Sequence, residues 1–584
     1  MLVQTQKSLG CPDGCGKGQL PETIPALVER MASTHPQDCC FYEWDGKRWH
    51  GTTHAQFLLD IRAFARSLAS KGVRRGDRVG ILGPPCYGWE VADKAVLYQG
   101  AVSVGLDDKS ASADLAEIVR SANLAAVVVE SVEHLDLFGD GLLATIPVVY
   151  VMNEGRTTSS VVPLVMREEI GCCGPAGEVP GPAARPDDLA VILFTSGTTG
   201  RPKGIPLSHR QLTAGIPLMQ EALGEQVRGQ HRTLAWVPLH NGTGRAMGTI
   251  SYHFNAAQYF VREPSRLFDM ISSVNPTYLV VVPRVLEKVH EKVQERLRMR
   301  AVPFRAAVWS LIELRRRVPS NLLRRGLDAL LLGRLRRAVW GRDLRFLISG
   351  SAPVHSKILK FFDGMGIPTF EVYGLSEMSV VVSMNRPGKQ RYGSVGQPLP
   401  GMAIKIAPDG ELLVKSSTSL ESYWGGERDG LFDDEGYLRT GDVAESRRGY
   451  LYITGRKKEI IKTSTGLRVS PTQVAQAYSD IPGVEHIVVV GDRRNYLTAL
   501  VSVEEPFRIA LERQGGCVQE YVEREMERRH DRLAPNRRVK RIKVLNHPLS
   551  IEAGEVTSSL KVRRSVVFEK HRSAIDALCA GDAG

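Results

Sequence analysis

Two hydrophobic rhythms alternate along the first half of the chain. Short apolar, β-branched runs at RVGIL (78–82), AAVVVE (125–130), PVVYVM (147–152) and 276–283 predict strands. Between them lie stretches such as AQFLLDIRAFARSLASKG (55–72), whose apolar residues recur every three to four positions, as on one face of a helix. Apolar strands joined by helices predict a parallel sheet with crossover connections, and the class is α/β. The Gly/Pro-rich stretch 171–188 is expected as a surface linker. From about residue 391 the texture changes to short strands with turn signals (KIAPDGELLV, LFDDEGYLRTGD), which predicts a small barrel-like β unit. A last mixed segment, about 456–584, holds one strand pair, HIVVVGD and YLTALVSV, among charged helices.

With 584 residues, 43% hydrophobic and 24% charged, the chain has the balance of a globular protein of three or four structural units. It contains no run of about 18 apolar residues, and its first twenty residues lack the apolar core of a secretory signal, so the cytoplasm is the expected location. Nine cysteines, with Cys39–Cys40 and Cys172–Cys173 adjacent, are expected as free thiols. Cys11 and Cys15 are spaced like metal ligands but lack a second Cys/His pair nearby, so the N-terminal segment is expected as a flexible lead-in. The net charge is +12, which favours phosphate-rich ligands or an anionic surface. Residues 291–345 hold fifteen Lys/Arg against five Asp/Glu, interleaved with apolar residues as in amphipathic helix. This stretch reads equally as a solvated helical face or as a weak peripheral contact with anionic lipid at the inner membrane surface.

The sharpest chemical signal follows the apolar strand 189–194. Thr195, Ser196, Gly197, Thr198, Thr199 and Gly200 offer backbone N–H groups and hydroxyls able to close around phosphates, and Lys203 adds a cation. Arg-Pro separates Gly200 from Lys203, which excludes the Walker pattern and disfavours an ordinary P-loop nucleotidase.

The string TSGTTGRPKG resembles the phosphate loop of the adenylate-forming superfamily of acyl-CoA synthetases, carrier-protein-loading adenylation domains and luciferases. Further matches follow in family order. Gly350-Ser351-Ala352-Pro353 resembles the adenine-side loop, Tyr373-Gly374-Leu375-Ser376-Glu377 the aromatic motif and Thr440-Gly441-Asp442 the ribose motif. GRKKE at 455–459 is similar to the interdomain hinge, and TSSLKVRR at 557–564 to the segment carrying a mobile lysine. Within the superfamily the chain is most similar to long-chain and bubblegum-type fatty acyl-CoA synthetases, as in GYLRTGDVAE and GEVTSSLKVRR. The resemblance implies a lead-in over 1–40, a large N-terminal AMP-binding domain over 41–455 made of two α/β layers plus a small β unit, and a small mobile α+β C-terminal domain over 456–584.

It also implies ATP, Mg²⁺ and CoA, or a carrier-protein phosphopantetheine arm, acting with a small carboxylic acid; no nucleic acid is expected. A carboxylate is a poor acyl donor, so AMP is attached first and pyrophosphate released. That step needs charge stabilisation and alignment at the α-phosphate. The resemblance gives Lys561 the bridging role between carboxylate and α-phosphate, Ser376 a donor role at that phosphate, and Glu377 with Thr195 the metal. Tyr373 is implied to stack on adenine, and Asp442 with Arg456 to hold the ribose. Lys458 is implied as hinge and Gly466 as lining for the pantetheine tunnel. Where relatives read Pro-Leu-x-His and an aromatic residue, this chain reads Pro238-Leu239-His240-Asn241-Gly242-Thr243, which puts Asn241 and Thr243 beside the acyl carbonyl. Thr465 replaces a usual glycine and Ala475 a usual glutamate. Three readings follow: a medium- or long-chain fatty acyl-CoA synthetase, an acyl-AMP ligase loading a carrier protein, and a non-catalytic acyl or nucleotide sensor. The third is opposed by the intact Glu377, Asp442, Arg456 and Lys561.

Overall fold

The computed structural model describes residues 21–110, 112–153, 163–170, 182, 184–196, 202–318, 333–379, 381–426, 428–464, 466–551, 553–557 and 561–579. Gly197–Gly200, Cys11, Cys15, Thr465, residues 171–181 of the expected linker and 319–332 of the basic stretch lie outside the described residues.

A seven-stranded sheet carries the first rhythm of the sequence. Its order is Leu164–Met166, Val149–Val151, Leu124–Val129, Arg78–Leu82, Val102–Leu106, Leu189–Ser196 and Pro202–Ser208; all neighbours are parallel except the last pair. The central strands read as unbroken apolar runs because helices cover both faces, as expected for a parallel sheet. A five-stranded sheet is parallel through Tyr278–Val281, Phe346–Ser349 and Thr369–Gly374, then antiparallel through Val381–Met384 and Gln397–Pro398. A four-stranded sheet of His231–Ala235, Ala256–Phe260, Cys39–Trp44 and Trp49–Thr53 joins the chain's start to its middle.

The lead-in expected over 1–40 is replaced in part by a helix, Ile24–Thr34, capped by the Thr23 hydroxyl. Ile24, Leu27, Val28 and Met31 recur at helical spacing and bury one face in the main core. The predicted β unit is a four-stranded antiparallel sheet, Ala403–Ile406, Glu411–Lys415, Leu438–Arg447 and Tyr450–Arg456, whose outer strands do not pair with each other, so it is open and not a barrel. The last of these strands runs into a 3₁₀ turn, Lys457–Glu459, and then into the C-terminal lobe. There Leu497–Val503 is sandwiched between Val484–Val490, antiparallel, and Val539–Val544, parallel, with its own apolar core. Among the described residues no helix is long and apolar enough to cross a membrane.

Candidate active site

One cleft of about 2840 Å³ collects strand ends from both large sheets, the β unit and the C-terminal lobe. Ordinary small-molecule sites occupy about 300–1,000 Å³, so this one has room for more than one substrate.

One wall is an antiparallel strand pair. Thr195 pairs with Lys203 and Ser196 with Pro202, so the two strands that flank the hydroxyl- and glycine-rich segment lie side by side. Trp424 clasps the returning strand, its backbone N–H donating to the Gly204 carbonyl at 2.8 Å. A Cβ at position 204 would lie 2.8 Å from Trp424 Cβ, so glycine is required for this approach. Lys203 Nζ sits 5.0 Å from the centre of the Tyr423 ring, and the Tyr423 hydroxyl donates to Glu377 Oε1 at 3.1 Å. Tyr423 thus links the loop cation to the acid of the aromatic motif.

Gly350, Ser351 and Ala352 follow the strand Phe346–Ser349, and Ser351 is left-handed at φ +74°. Beside them Tyr373 and Gly374 end the strand Thr369–Gly374, and Ser376 and Glu377 open a 3₁₀ turn. All seven residues line the cleft.

Asp442 and Arg456 are cross-strand partners in the β unit, with Arg456 Nε 3.1 Å from Asp442 Oδ1. Asp442 Oδ2 accepts the Tyr373 hydroxyl at 2.7 Å, and the Asp442 backbone N–H donates to Thr440 Oγ1 at 3.1 Å. Burial pushes the Asp442 carboxyl above its ordinary value, opposed by Arg456, the Tyr373 hydroxyl and Lys561. Behind this pair, buried Glu411 accepts the Gly441 N–H at 3.1 Å and Lys457 Nζ at 2.7 Å, fixing the Thr440–Asp442 segment and the start of the interlobe segment together.

Lys561 comes from the C-terminal lobe. Its carbonyl accepts the Thr557 N–H at 2.8 Å and its N–H donates to Thr557 Oγ1 at 3.0 Å, so it stands opposite Thr557, next to the Val556–Val562 bridge. It is solvent-accessible within the cleft, yet crowding protein groups and then the Arg456 charge lower its pKa, with Asp442 opposing. Tyr373, Asp442, Arg456 and Lys561, distant in sequence, therefore form one cluster.

On a further wall of the cleft, His240 packs so closely on the strand Val102–Leu106 that a Cβ on Gly105 would lie 2.6 Å from His240 Cα. His240 Nε2 is 3.6 Å from Asp107 Oδ2; burial lowers its pKa, opposed by Asp107 and Asp108. Asn241 is the N-cap of the helix Gly242–His253, its side-chain oxygen accepting the Gly244 N–H at 2.9 Å. Position 244 must be glycine, because a Cβ there would sit 2.2 Å from the Pro238 carbonyl oxygen. Thr243 lines the cleft on the first turn, and a Cβ at Gly242 would lie 3.4 Å from Ser376 Oγ, which brings the aromatic motif against this helix start. One turn on, Arg245 is buried and paired with Asp93 beneath the wall. Leu212, Leu218, Met219, Met247 and Ile250 make the adjoining wall apolar. On the opposite side, Lys458 and Gly466, the latter at φ +79°, line the cleft mouth with Ala475.

Tyr423, Glu411 and the Asn241 cap escape a motif reading. A tyrosine before Trp-Gly is an ordinary surface sequence until the hairpin lies against it, and Glu411, between Asp-Gly and Leu-Leu-Val, reads as an acid flanking a turn. An Asn directly after Leu-His at a helix start does carry a cap signal.

The profile of the AMP-binding enzyme family matches residues 28–424, and that of the AMP-binding enzyme C-terminal domain matches residues 458–582. The chain is 31% identical over 590 residues to long-chain-fatty-acid–CoA ligase FadD15 of Mycobacterium bovis, covering 95% of this chain and 97% of that protein. It is 25% identical to long-chain-fatty-acid–CoA ligase ACSBG2 of Mus musculus, covering 96% and 93%. The adenylation domain of the carboxylate reductase from Mycobacterium chelonae has the same fold, with a TM-score of 0.81 at 20% identity over 97% of this chain and 92% of that one. A phosphate hairpin, a ribose-type acid–arginine pair and a second-lobe lysine converging on one cleft agree with these matches, and the chain belongs to the AMP-binding enzyme family.

Proposed function

We propose that this chain is an AMP-forming acid–thiol ligase for medium- or long-chain fatty acids. The observation that carries the reading is the placement of Lys561 beside Asp442, Arg456 and Tyr373, in the cleft whose next wall is apolar. Similarity to two proteins named long-chain-fatty-acid–CoA ligases supports the substrate class.

In the first half-reaction a carboxylate oxygen attacks the α-phosphorus of ATP, the α–β anhydride bond breaks and pyrophosphate leaves. Lys561 draws carboxylate and α-phosphate oxygens together, Ser376 donates to the phosphate, and the hairpin with Thr195 and Lys203 holds the departing phosphates. Tyr373 packs on adenine, while Asp442 accepts from the ribose hydroxyls with Arg456 fixing its orientation. Glu377 and Thr195 are hard oxygen donors fit for Mg²⁺, which takes one or two carboxylates plus substrate phosphates and, when bound, neutralises phosphate charge. In the second half-reaction a thiolate attacks the acyl carbonyl and the bond to AMP breaks. Gly466 leaves room for a pantetheine arm, and the lobe pivots at Lys458.

The test is a carboxylic-acid panel scored for AMP and pyrophosphate, with CoA and carrier protein offered in parallel. Turnover of long acids with CoA supports the proposal. Turnover only with carrier protein replaces the acceptor, and no adenylate from any acid removes the reading.

The finer partner and location in this proposal are a reversible contact with the cytoplasmic face of an anionic membrane. Met299 (86% exposed), Val302, Phe304 and Trp309 stand out from the corner between the helices Pro283–Arg298 and Val302–Arg317, among Arg296, Arg298, Arg300 and Arg305. Arg315 donates to the Asp363 carbonyl, and Arg316 and Arg317 pair with Glu313, so the corner rather than these three is the candidate contact. Co-sedimentation with anionic but not neutral vesicles, lost in Arg298→Glu/Arg300→Glu, supports it; binding indifferent to lipid charge removes it.

A further inference from the structure

A bond between the lobes lies along the same cleft, whose lining includes Arg284, Glu287 and Val484. Arg284, in the first turn of the helix Pro283–Arg298, is 10% exposed at the side chain and extends Nη2 to Glu504 Oε1 of the C-terminal lobe at 2.7 Å. Lys288, one turn on, reaches the same oxygen at 3.4 Å. Arg284 Nη1 faces the Val484 carbonyl at 3.5 Å, and Glu287 and Glu291 steady the guanidinium from its own helix at 3.4 and 3.9 Å. Glu504 is itself placed: its N–H donates to the Gly483 carbonyl at 2.9 Å, which gathers Glu504 and Val484 onto one edge. A weaker pair, Lys357–Asp480 at 3.8 Å, spans the same junction, with Asp480 anchored by Arg529.

The junction is partly sheltered, with Arg284 10%, Glu504 27% and Lys288 42% exposed at the side chain. Burial raises Glu485 and lowers His486 to about 4 on the facing strand, with the Arg284 and Lys288 charges adding to the His486 shift. A pair formed in such surroundings is held more firmly than a surface pair, because separating it leaves a charge partly buried and uncompensated.

We propose that Glu504, gripped by Arg284 and Lys288, is the latch that holds the C-terminal lobe in the arrangement presenting Lys561 to the phosphate. The inference rests on the two-half-reaction reading above. Lys561 faces the Asp442 and Arg456 charges across the cleft without bonding to them, whereas Glu504 is bonded to the large domain, and a bonded contact fixes an orientation that a flexible joint alone does not. A lobe that swings for thioester formation must first break this grip. Glu504 is thus a positioning residue that sets how the enzyme divides its time between the half-reactions.

The test compares Glu504→Gln, Lys288→Gln and the double variant in the full-length chain, with Glu504→Asp as the conservative control. Adenylate formation is read by pyrophosphate exchange, and thioester formation from supplied acyl-adenylate and CoA. Cleavage of the 456–466 segment by a trace of protease without nucleotide reports on the lobe independently of chemistry. Glu504→Gln is expected to slow adenylation about fivefold while sparing the thioester step, and to speed cleavage by a similar factor. The double variant should be no worse than Glu504→Gln, and Glu504→Asp should recover part of the loss. Equal loss in both half-reactions, or unaltered cleavage, overturns the latch. Faster cleavage in a chain whose wild type makes no adenylate leaves the latch standing and removes the functional reading.

Discussion

Tyr373 and Asp442, sixty-nine positions apart, meet through a 2.7 Å hydrogen bond in which the phenol donates and the carboxylate accepts. In the proposed function the ring on the adenine side is thereby tied to the acid on the ribose side.

Removing that bond without removing the ring separates the two roles. Tyr373→Phe should raise the KM for ATP about fivefold, the equivalent of about 1 kcal/mol for one hydrogen bond, with kcat nearly unchanged. Steady-state kinetics with ATP varied at saturating acid checks this. An unchanged KM would mean that Asp442 is oriented by Arg456 alone.

Lys561→Ala should abolish adenylate formation by about 10²-fold or more, the scale for removing one preorganised charge, and largely spare thioester formation from supplied acyl-adenylate. Damage of equal size in both half-reactions would argue against the bridging role.

For the bridging role proposed for Lys561 the ammonium is the working form, and its pKa lies below the ordinary lysine value. As pH rises, this lysine therefore loses its charge earlier than a solvated one would. Adenylation should fall as pH climbs through that lowered pKa, whereas the thioester step should lack this alkaline limb. In Lys561→Arg the limb should disappear, because a guanidinium stays charged across the accessible range. A pH–rate profile of the exchange reaction decides it.

Lys458→Pro fixes φ in the 3₁₀ turn between the lobes. Adenylation should survive and thioester formation should fall. Wild-type rates in both steps would place the pivot elsewhere.

Asn241→Ala removes the N-cap of the helix behind the acyl carbonyl, which costs about 1 kcal/mol. A lower thermal midpoint is expected, recovered in Asn241→Ser or Asn241→Asp. A midpoint unmoved by Asn241→Ala would mean that the helix start is held by other contacts.

What the sequence made legible was whatever is local in the chain. The strands at 78–82 and 124–129 announce themselves because residues buried on both faces must nearly all be apolar. The phosphate loop is readable because hydroxyls and glycines are contiguous with a strand. Asp442 and Arg456 were each singled out, but their pairing depends on strand register. The hydroxyl of Tyr423 acquires its partner 46 positions away, and Arg284 meets Glu504 across 220. Neither leaves a local pattern, since an exposed-looking Tyr or Glu is ordinary until another segment lies against it. The Ile24–Thr34 helix has helical spacing, but the Gly- and Cys-rich stretch next to it has no such period and masks the signal.

The strand Tyr450–Arg456 ends on the residue that grips Asp442, and the next residue, Lys457, is bonded to Glu411, which holds the same ribose turn. No slack backbone separates the nucleotide from the joint. A one-residue insertion after Arg456 would shift the phase of everything beyond it, displacing Lys561 although no side chain had changed. The length of this short connector is therefore as much a part of the nucleotide site as the identity of any group within it.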